Sequence, residues 1–311
     1  MGVTPRAAGT RIGYADIPER VRAWVEQTLG APVVGTAEQI GGMSPGCATR
    51  LRCADGTRAF VKAVGPELNA LTPDLFRHEA TVLEHIGTDP LWAGLLASYD
   101  EPDGWVALLM EDVEGRHPDL RDPAEAEVVL EATDRFVDRL AGLGKGLQVA
   151  TLEGQLARYT QMWPHLEGVA TLPGWALKAV PRMQAALGGL REAADGEHLC
   201  NFDVRNDNLL LRPDGSVVFV DWGMSRVGAA WLDPLVLRLE WAELPLFDAL
   251  VTTSPALAAL NEEQVTGFLY ALGAWLAYRA AVDDTGPPGL HAFRTLESAR
   301  FLEGARRRLG A

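Results

Sequence analysis

The stretch that decides the reading is Asn201-Phe202-Asp203-Val204-Arg205-Asn206-Asp207-Asn208. It runs on through Leu209-Leu210-Leu211-Arg212, Pro213-Asp214-Gly215-Ser216 and Val217-Val218-Phe219-Val220 to Asp221-Trp222-Gly223. Two short apolar runs joined by Pro-Asp-Gly predict a β-hairpin. With Pro213–Ser216 as the loop, Arg212 faces Val217, and the register runs back so that Asn208 faces Asp221. Facing residues of an antiparallel pair sit about 4.5–5.5 Å apart at Cβ. An amide oxygen and a carboxylate then converge at the open end of the hairpin, with Asp203 just upstream. Two hard oxygen donors beside a third carboxylate suit Mg²⁺, which takes few protein ligands and leaves the rest to phosphate oxygens. A one-residue bulge at Gly215 would break that facing. The plain alternative is a solvated turn carrying ordinary polar residues.

Upstream, Ala59-Phe60-Val61-Lys62-Ala63-Val64 reads as a strand whose alternation puts Phe60, Lys62 and Val64 on one face. An ammonium among apolar neighbours needs a partner, because burying it unpaired is costly. The spacing predicts a helix over Pro73–Ile86, with Leu75, Glu79, Val82, Leu83 and Ile86 on one face. Glu79 is the only charge on that stripe. The bland reading has Lys62 reaching solvent from an edge strand and Glu79 at the rim of the stripe. Before the Lys62 strand lies Gly41-Gly42-Met43-Ser44-Pro45-Gly46. Glycines let backbone N–H groups approach phosphates. Pro45 removes one such donor, and a simple hairpin turn explains the loop as readily.

Around these segments, Pro18–Leu29 has helical spacing and stops at Gly30. Gly35–Ile40, Ala48–Cys53, Leu95–Tyr99 and Trp105–Met110 are strand candidates, and Asp55-Gly56 marks a hairpin. From there the pattern is helical to residue 200, with breaks at Gly142–Gly146 and Pro173-Gly174, and helical again from Leu232 to the end. The order is a small sheet-rich part followed by a larger helical part with one hairpin, an α+β chain.

Asp203, Asn208 and Asp221 in this order resemble the D-x-x-x-x-N and D-F-G-type loops of the protein-kinase-like superfamily. The closer resemblance is to aminoglycoside phosphotransferase-type small-molecule kinases, whose loop reads H-G-D-x-x-x-x-N before a D-W segment. Here Asn201 stands where that family has His, which puts the loop geometry in question. The resemblance implies a bilobal protein-kinase-like fold. Residues 1–113 would form a nucleotide-binding lobe ending in a hinge, and 114–311 a helical lobe with the catalytic loop and substrate pocket. It also implies ATP or GTP as donor and Mg²⁺ as cofactor, with a small-molecule hydroxyl as acceptor. Gly41, Gly42, Ser44 and Gly46 would cover the phosphates, and Lys62, positioned by Glu79, would clamp them. Glu111 and Val113 would flank the base, Asn208 and Asp221 would hold the metal, and Asp203 would take the acceptor's proton. Asp233 resembles the residue that braces the catalytic loop, although helix capping would suit it too. The rival is a non-catalytic nucleotide-binding protein of the same fold, favoured by Asn201 and Pro45 and opposed by Lys62, Asp203, Asn208 and Asp221.

The net charge of −14 lacks the basic footprint of a nucleic-acid binder. Asp233, Glu240, Glu243, Asp248, Asp283 and Asp284 lie among the C-terminal helices and, if they line the acceptor site, favour a cationic acceptor. Candidate acceptors are an aminoglycoside or other antibiotic, an amino sugar, a nucleoside, choline or another metabolite. Cys47, Cys53 and Cys200 show neither disulfide nor zinc spacing and read as buried thiols. The segment Leu269–Val282 is too short to span a membrane and contains Arg279. With no signal-peptide pattern in Met1–Pro18, the expectation is a cytoplasmic monomer or homodimer without membrane contact. Trp222, Trp231 and Trp241 read as core rather than as stacking platforms.

Overall fold

The computed structural model describes residues 11–39, 41–102, 104–283 and 286–311. Its first elements are α1 (Glu19–Leu29), β1 (Val33–Glu38), β2 (Cys47–Cys53), β3 (Arg58–Val64), α2 (Thr72–Ile86), β4 (Leu95–Asp100) and β5 (Val106–Met110). There follow α3 (Pro123–Leu140), α4 (Leu152–Tyr159), α5 (Gly174–Glu192), β6 (His198–Cys200), β7 (Leu209–Leu211), β8 (Val217–Phe219) and β9 (Arg226–Gly228). The chain closes with α6 (Leu232–Arg238), α7 (Leu246–Thr253), α8 (Glu262–Val282) and α9 (Leu290–Leu309). The architecture is α+β.

By compactness the chain forms two units. One comprises Met1–Ala132, Asn206–Ser225 and Pro287–Gly289; the other comprises Thr133–Arg205, Arg226–Gly286 and Leu290–Ala311. These differ from a division at residue 113: the first unit runs on to Ala132 and takes in the β7–β8 hairpin. The boundary runs through the loop Asn201–Asn208, between Arg205 and Asn206.

The first unit is built on an antiparallel sheet in the order β1-β2-β3-β5-β4. Gly56, at φ +93°, closes the β2–β3 turn, a left-handed conformation that glycine adopts without a Cβ clash. Along β3, Ala59, Val61 and Ala63 enter the core with Val21 and Val25 of α1, and alternation turns Lys62 to the other face. The buried residues of α2 are Thr72, Pro73, Phe76, Glu79, Ala80, Val82 and Leu83, which include Glu79, Val82 and Leu83 of the expected stripe. Leu75 alone of the expected stripe is exposed, and the neighbouring Phe76 is buried in its place; Ile86 is half-buried.

The hairpin register also differs from expectation. Leu209 pairs with Phe219 and Leu211 with Val217. The Arg212 amide donates to the Ser216 carbonyl at 2.8 Å, and Gly215 sits at φ +84°. The loop is therefore the three residues Pro213–Gly215 with a left-handed glycine, the bulged form of hairpin. Asn208 faces Val220, whose amide donates to its carbonyl at 3.0 Å, and Asp221 lies one residue beyond.

The second unit is helical around the two-stranded β6–β9 ribbon. Asn261 opens α8 by a reciprocal cap with Gln264. This start makes α8 21 residues long, against the shorter segment expected. By length and composition alone it is long and apolar enough to cross a membrane, yet 56 % of its most apolar window is buried inside the structure. Trp222, Trp231 and Trp241 are buried in the cores of their units, and the three cysteines are buried and unbridged.

Candidate active site

In the first unit, the Lys62 Nζ donates to Glu79 Oε2 at 2.6 Å and lies 3.5 Å from Asp221 Oδ1. The Phe76 ring centre is 5.2 Å from the same nitrogen. Lys62 and Glu79 are both buried, so each charge needs an opposite one beside it. Burial opposes the Lys62 charge, but Asp221 and then Glu79 outweigh it and hold its pKa above the ordinary value. Burial pushes Glu79 up, with Lys62 pulling it back. The second oxygen of Glu79 accepts the Trp222 amide at 3.2 Å, so one carboxylate fixes both the lysine and the residue after Asp221.

Asp221 sits at φ +66°, a left-handed conformation that Asp tolerates better than most residues. Asn208 is buried. Among the described residues no group of three His, Cys, Asp or Glu could hold a metal. Asn208 and Asp221 each offer a hard oxygen donor, the ligand type that Mg²⁺ takes.

The loop Gly41–Gly46 joins β1 to β2. Gly42 is at φ +86°, and a Cβ at Gly46 would collide with the Ala63 carbonyl, so both glycines are required by geometry. Ser44 is half-buried on the same loop. After β5, the Glu111 amide donates to the Gly94 carbonyl at 2.8 Å and its carboxylate pairs with Arg212 at 2.7 Å. Val113 is buried. Asp112 accepts from Arg50 at 2.5 Å and from Arg58 at 2.7 Å, which ties the segment to β2 and β3.

In the second unit, Asp233 near the start of α6 accepts the amides of Asn201 at 2.9 Å and Phe202 at 2.8 Å. It braces the loop rather than capping its own helix. Burial raises its pKa to about 6, with the two amides opposing. Asn201 Oδ1 accepts the Asp203 amide at 2.9 Å. The residue in the place of the family's His therefore holds the turn through a local side-chain bond. Phe202 lies at φ +64° under the Arg226 guanidinium, 5.9 Å from its ring centre. Asp203 Oδ1 pairs with Arg205 Nε at 2.9 Å, a partner that the motif reading passed over. The D-x-R spacing was the available signal.

Several acidic residues of the C-terminal helices have arginine partners. Asp248 pairs with Arg307 and Arg308, Asp283 with Arg279 and Arg294, and Glu243 with Arg300. Asp284 lies outside the described residues.

The structure thus groups Lys62, Glu79 and Asp221 directly, with Asn208 and the glycine loop in the same unit, and sets Asp203 on the braced loop of the other unit. Solved structures match the fold. Choline kinase LicA from Streptococcus pneumoniae superposes with a TM-score of 0.63 at 14% identity, covering 93% of this chain and 98% of that one. A thermostable aminoglycoside phosphotransferase APH(4)-Ia with ADP and hygromycin B gives 0.62 at 14% identity, covering 92% and 98%. An aminoglycoside phosphotransferase from Alicyclobacillus acidocaldarius gives 0.53 at 14%, covering 89% and 91%. These likenesses establish the kinase-like fold. No curated protein sequence matches the chain. The model of the phosphotransferase enzyme family (APH) matches residues 51–249, from β2 through α7, and by that match the chain belongs to this family of small-molecule kinases.

Proposed function

We propose that this phosphotransferase moves the γ-phosphoryl group of ATP, with Mg²⁺, to a hydroxyl of a small molecule. The observation that carries the reading is Lys62, buried, pinned by Glu79 and 3.5 Å from Asp221. A lysine so placed is held charged and pre-aimed, which suits the α- and β-phosphates. Asn208 and Asp221 would hold Mg²⁺, which supplies neutralisation of phosphate charge when bound. The Gly41–Gly46 loop, with Gly41, Gly42, Ser44 and Gly46, would cover the phosphates. Glu111 has its amide and carboxylate committed, so its main-chain carbonyl is the group left for a base edge, beside Val113. Asp203 would orient the acceptor hydroxyl and take its proton, with Arg205 fixing the carboxylate. Most of the rate would come from positioning and charge neutralisation.

ATP is preferred over GTP because solved proteins of this fold carry ADP or AMP-PNP. For the acceptor, those proteins include complexes with hygromycin B and a choline kinase, which support a hydroxylated small molecule. The carboxylates paired with arginines above supply no specific argument for a cation. The test is nucleotide consumption against a panel of hydroxylated aminoglycosides, amino sugars, nucleosides and amino alcohols, with and without Mg²⁺. Metal-dependent turnover with one acceptor class supports the reading. Tight Mg·ATP binding without transfer to any acceptor would favour the non-catalytic alternative.

A further inference from the structure

Arg11 precedes α1 and belongs to no motif, yet its side chain ends under the glycine loop. Its Nε donates to the Gly41 carbonyl at 2.8 Å, and Nη2 donates to the same oxygen. At Gly42 an added Cβ would collide with Nη2, so the guanidinium lies directly against the loop backbone. Its third nitrogen, Nη1, is buried and has no hydrogen-bond partner among the described residues.

An arginine nitrogen buried without an acceptor is costly. Burial lowers the Arg11 pKa, and the charge of Asp221 acts against that lowering. Arg11 in turn opposes the charge on Lys62, so the two cations are near enough to compete. Two cations gathered beside a glycine loop suit a ligand that is itself polyanionic. A phosphate oxygen is the acceptor that would satisfy Nη1, since guanidinium groups bind phosphate in a fixed planar fork.

We infer that Arg11 is a further phosphate-contacting residue of the nucleotide site, donating from Nη1 to a phosphate oxygen of the nucleoside triphosphate beneath the Gly41–Gly46 loop. The inference rests on the ATP reading above. It adds a contact from the segment ahead of α1, outside the residues matched by the family model. Arg11 would also couple loop and ligand, because the same guanidinium holds the Gly41 carbonyl.

The test is titration calorimetry of the full chain with Mg·AMP-PNP and, separately, with adenosine. Three variants are compared: Arg11→Ala, Arg11→Gln, which keeps an N–H donor for Gly41 but no charge, and Arg11→Lys, which keeps the charge. Loss of a charged hydrogen bond predicts about ten- to hundredfold weaker triphosphate binding in the Ala and Gln variants, with adenosine changed less than about twofold. The Lys variant should retain most of the affinity. Wild-type affinity in the Gln variant, equal weakening of both ligands, or tighter triphosphate binding in the Ala variant would each overturn the inference, the last by making Arg11 an obstruction. If the unmutated chain binds neither ligand, the ATP reading itself fails and this inference falls with it.

Discussion

Glu79 of α2 lies 2.6 Å from Lys62 Nζ through one oxygen and 3.2 Å from the Trp222 amide through the other. One carboxylate therefore sets the position of the buried lysine and of the backbone that carries Asp221. Lys62 has a second anion, Asp221, whereas Lys62 is the cation paired with Glu79. The pair is asymmetric, and the asymmetry can be measured.

Lys62→Met leaves a buried carboxylate without its cation and should cost on the order of 3–5 kcal/mol at neutral pH. Glu79→Gln leaves Lys62 with Asp221 and keeps an oxygen for the Trp222 amide, so it should cost less. The double variant should lose less than the sum of the single losses, because the second change removes a charge that the first had orphaned. Urea unfolding of the four proteins checks this. Additive losses would mean that the pair contributes no coupling.

What the sequence made legible here was the set of partners, and what it concealed was their exact phase. Lys62 and Glu79 were found by alternation and helical spacing. On α2 the spacing identifies Glu79, Val82 and Leu83 but leaves open which of Leu75 and Phe76 turns inward, since both are apolar and tertiary packing chooses between them. Pro213-Asp214-Gly215-Ser216 announced a hairpin. Whether Gly215 enters the left-handed region decides the register, and composition leaves both registers open. Asn261-x-x-Gln264 was a readable capping box that extends α8 beyond the apolar run. Arg11 carried no local signal at all. Its placement depends on where the chain ahead of α1 is folded back, which is a tertiary property.

Asp221→Ala should abolish the Mg²⁺-dependent part of nucleotide affinity and leave the fold intact, since its carboxylate is partly exposed and contributes little to the core. It also removes one of the two anions beside Lys62, so binding of metal-free nucleotide should hold or improve. Titrations with and without Mg²⁺, beside a melting curve, separate these effects. Unchanged affinity for Mg·AMP-PNP would remove Asp221 from the metal site.

Two buried groups of the second unit should give opposite pH dependences. Asp233 is raised from 3.8 to about 6 by burial, so the folded chain holds its proton more readily than the unfolded chain. Its contribution to stability is full below pH 3.8 and is lost as pH rises through about 6. His198 is lowered from 6.5 to about 4 by burial, with Asp138 opposing. Its contribution is full above pH 6.5 and is lost as pH falls through about 4. Each window is worth on the order of 3 kcal/mol. Between pH 6.5 and 4, His198→Gln should therefore resist acid better than the wild type. Over pH 6 to 4, wild type should gain stability relative to Asp233→Asn. Denaturant midpoints taken at half-unit pH steps test both signs, and profiles parallel to wild type would refute them.

Asp203 separates an enzyme from a nucleotide-binding relative. Its loop is held by Asp233 and Asn201, its carboxylate is paired with Arg205, and none of these residues belongs to the unit that carries Lys62, Asn208 and Asp221. Changes at Asp203 should thus act on turnover and spare nucleotide affinity. General-base assistance is worth about 10²–10⁴-fold, so Asp203→Asn should lower turnover at least ~100-fold, because an amide keeps the shape but cannot take the proton. Arg205→Met frees the carboxylate to leave its position and should lower turnover about tenfold through lost orientation, again at constant nucleotide affinity. Asp207→Asn, one residue before Asn208, serves as the control for nonspecific disturbance of the loop. The comparison is made at saturating Mg·ATP with the best acceptor from the panel. Equal, small losses in the Asp203 and Asp207 variants would show that the base lies elsewhere. A large loss confined to Asp203, with Arg205→Met intermediate, would identify Asp203 as the base and Arg205 as the residue that positions it.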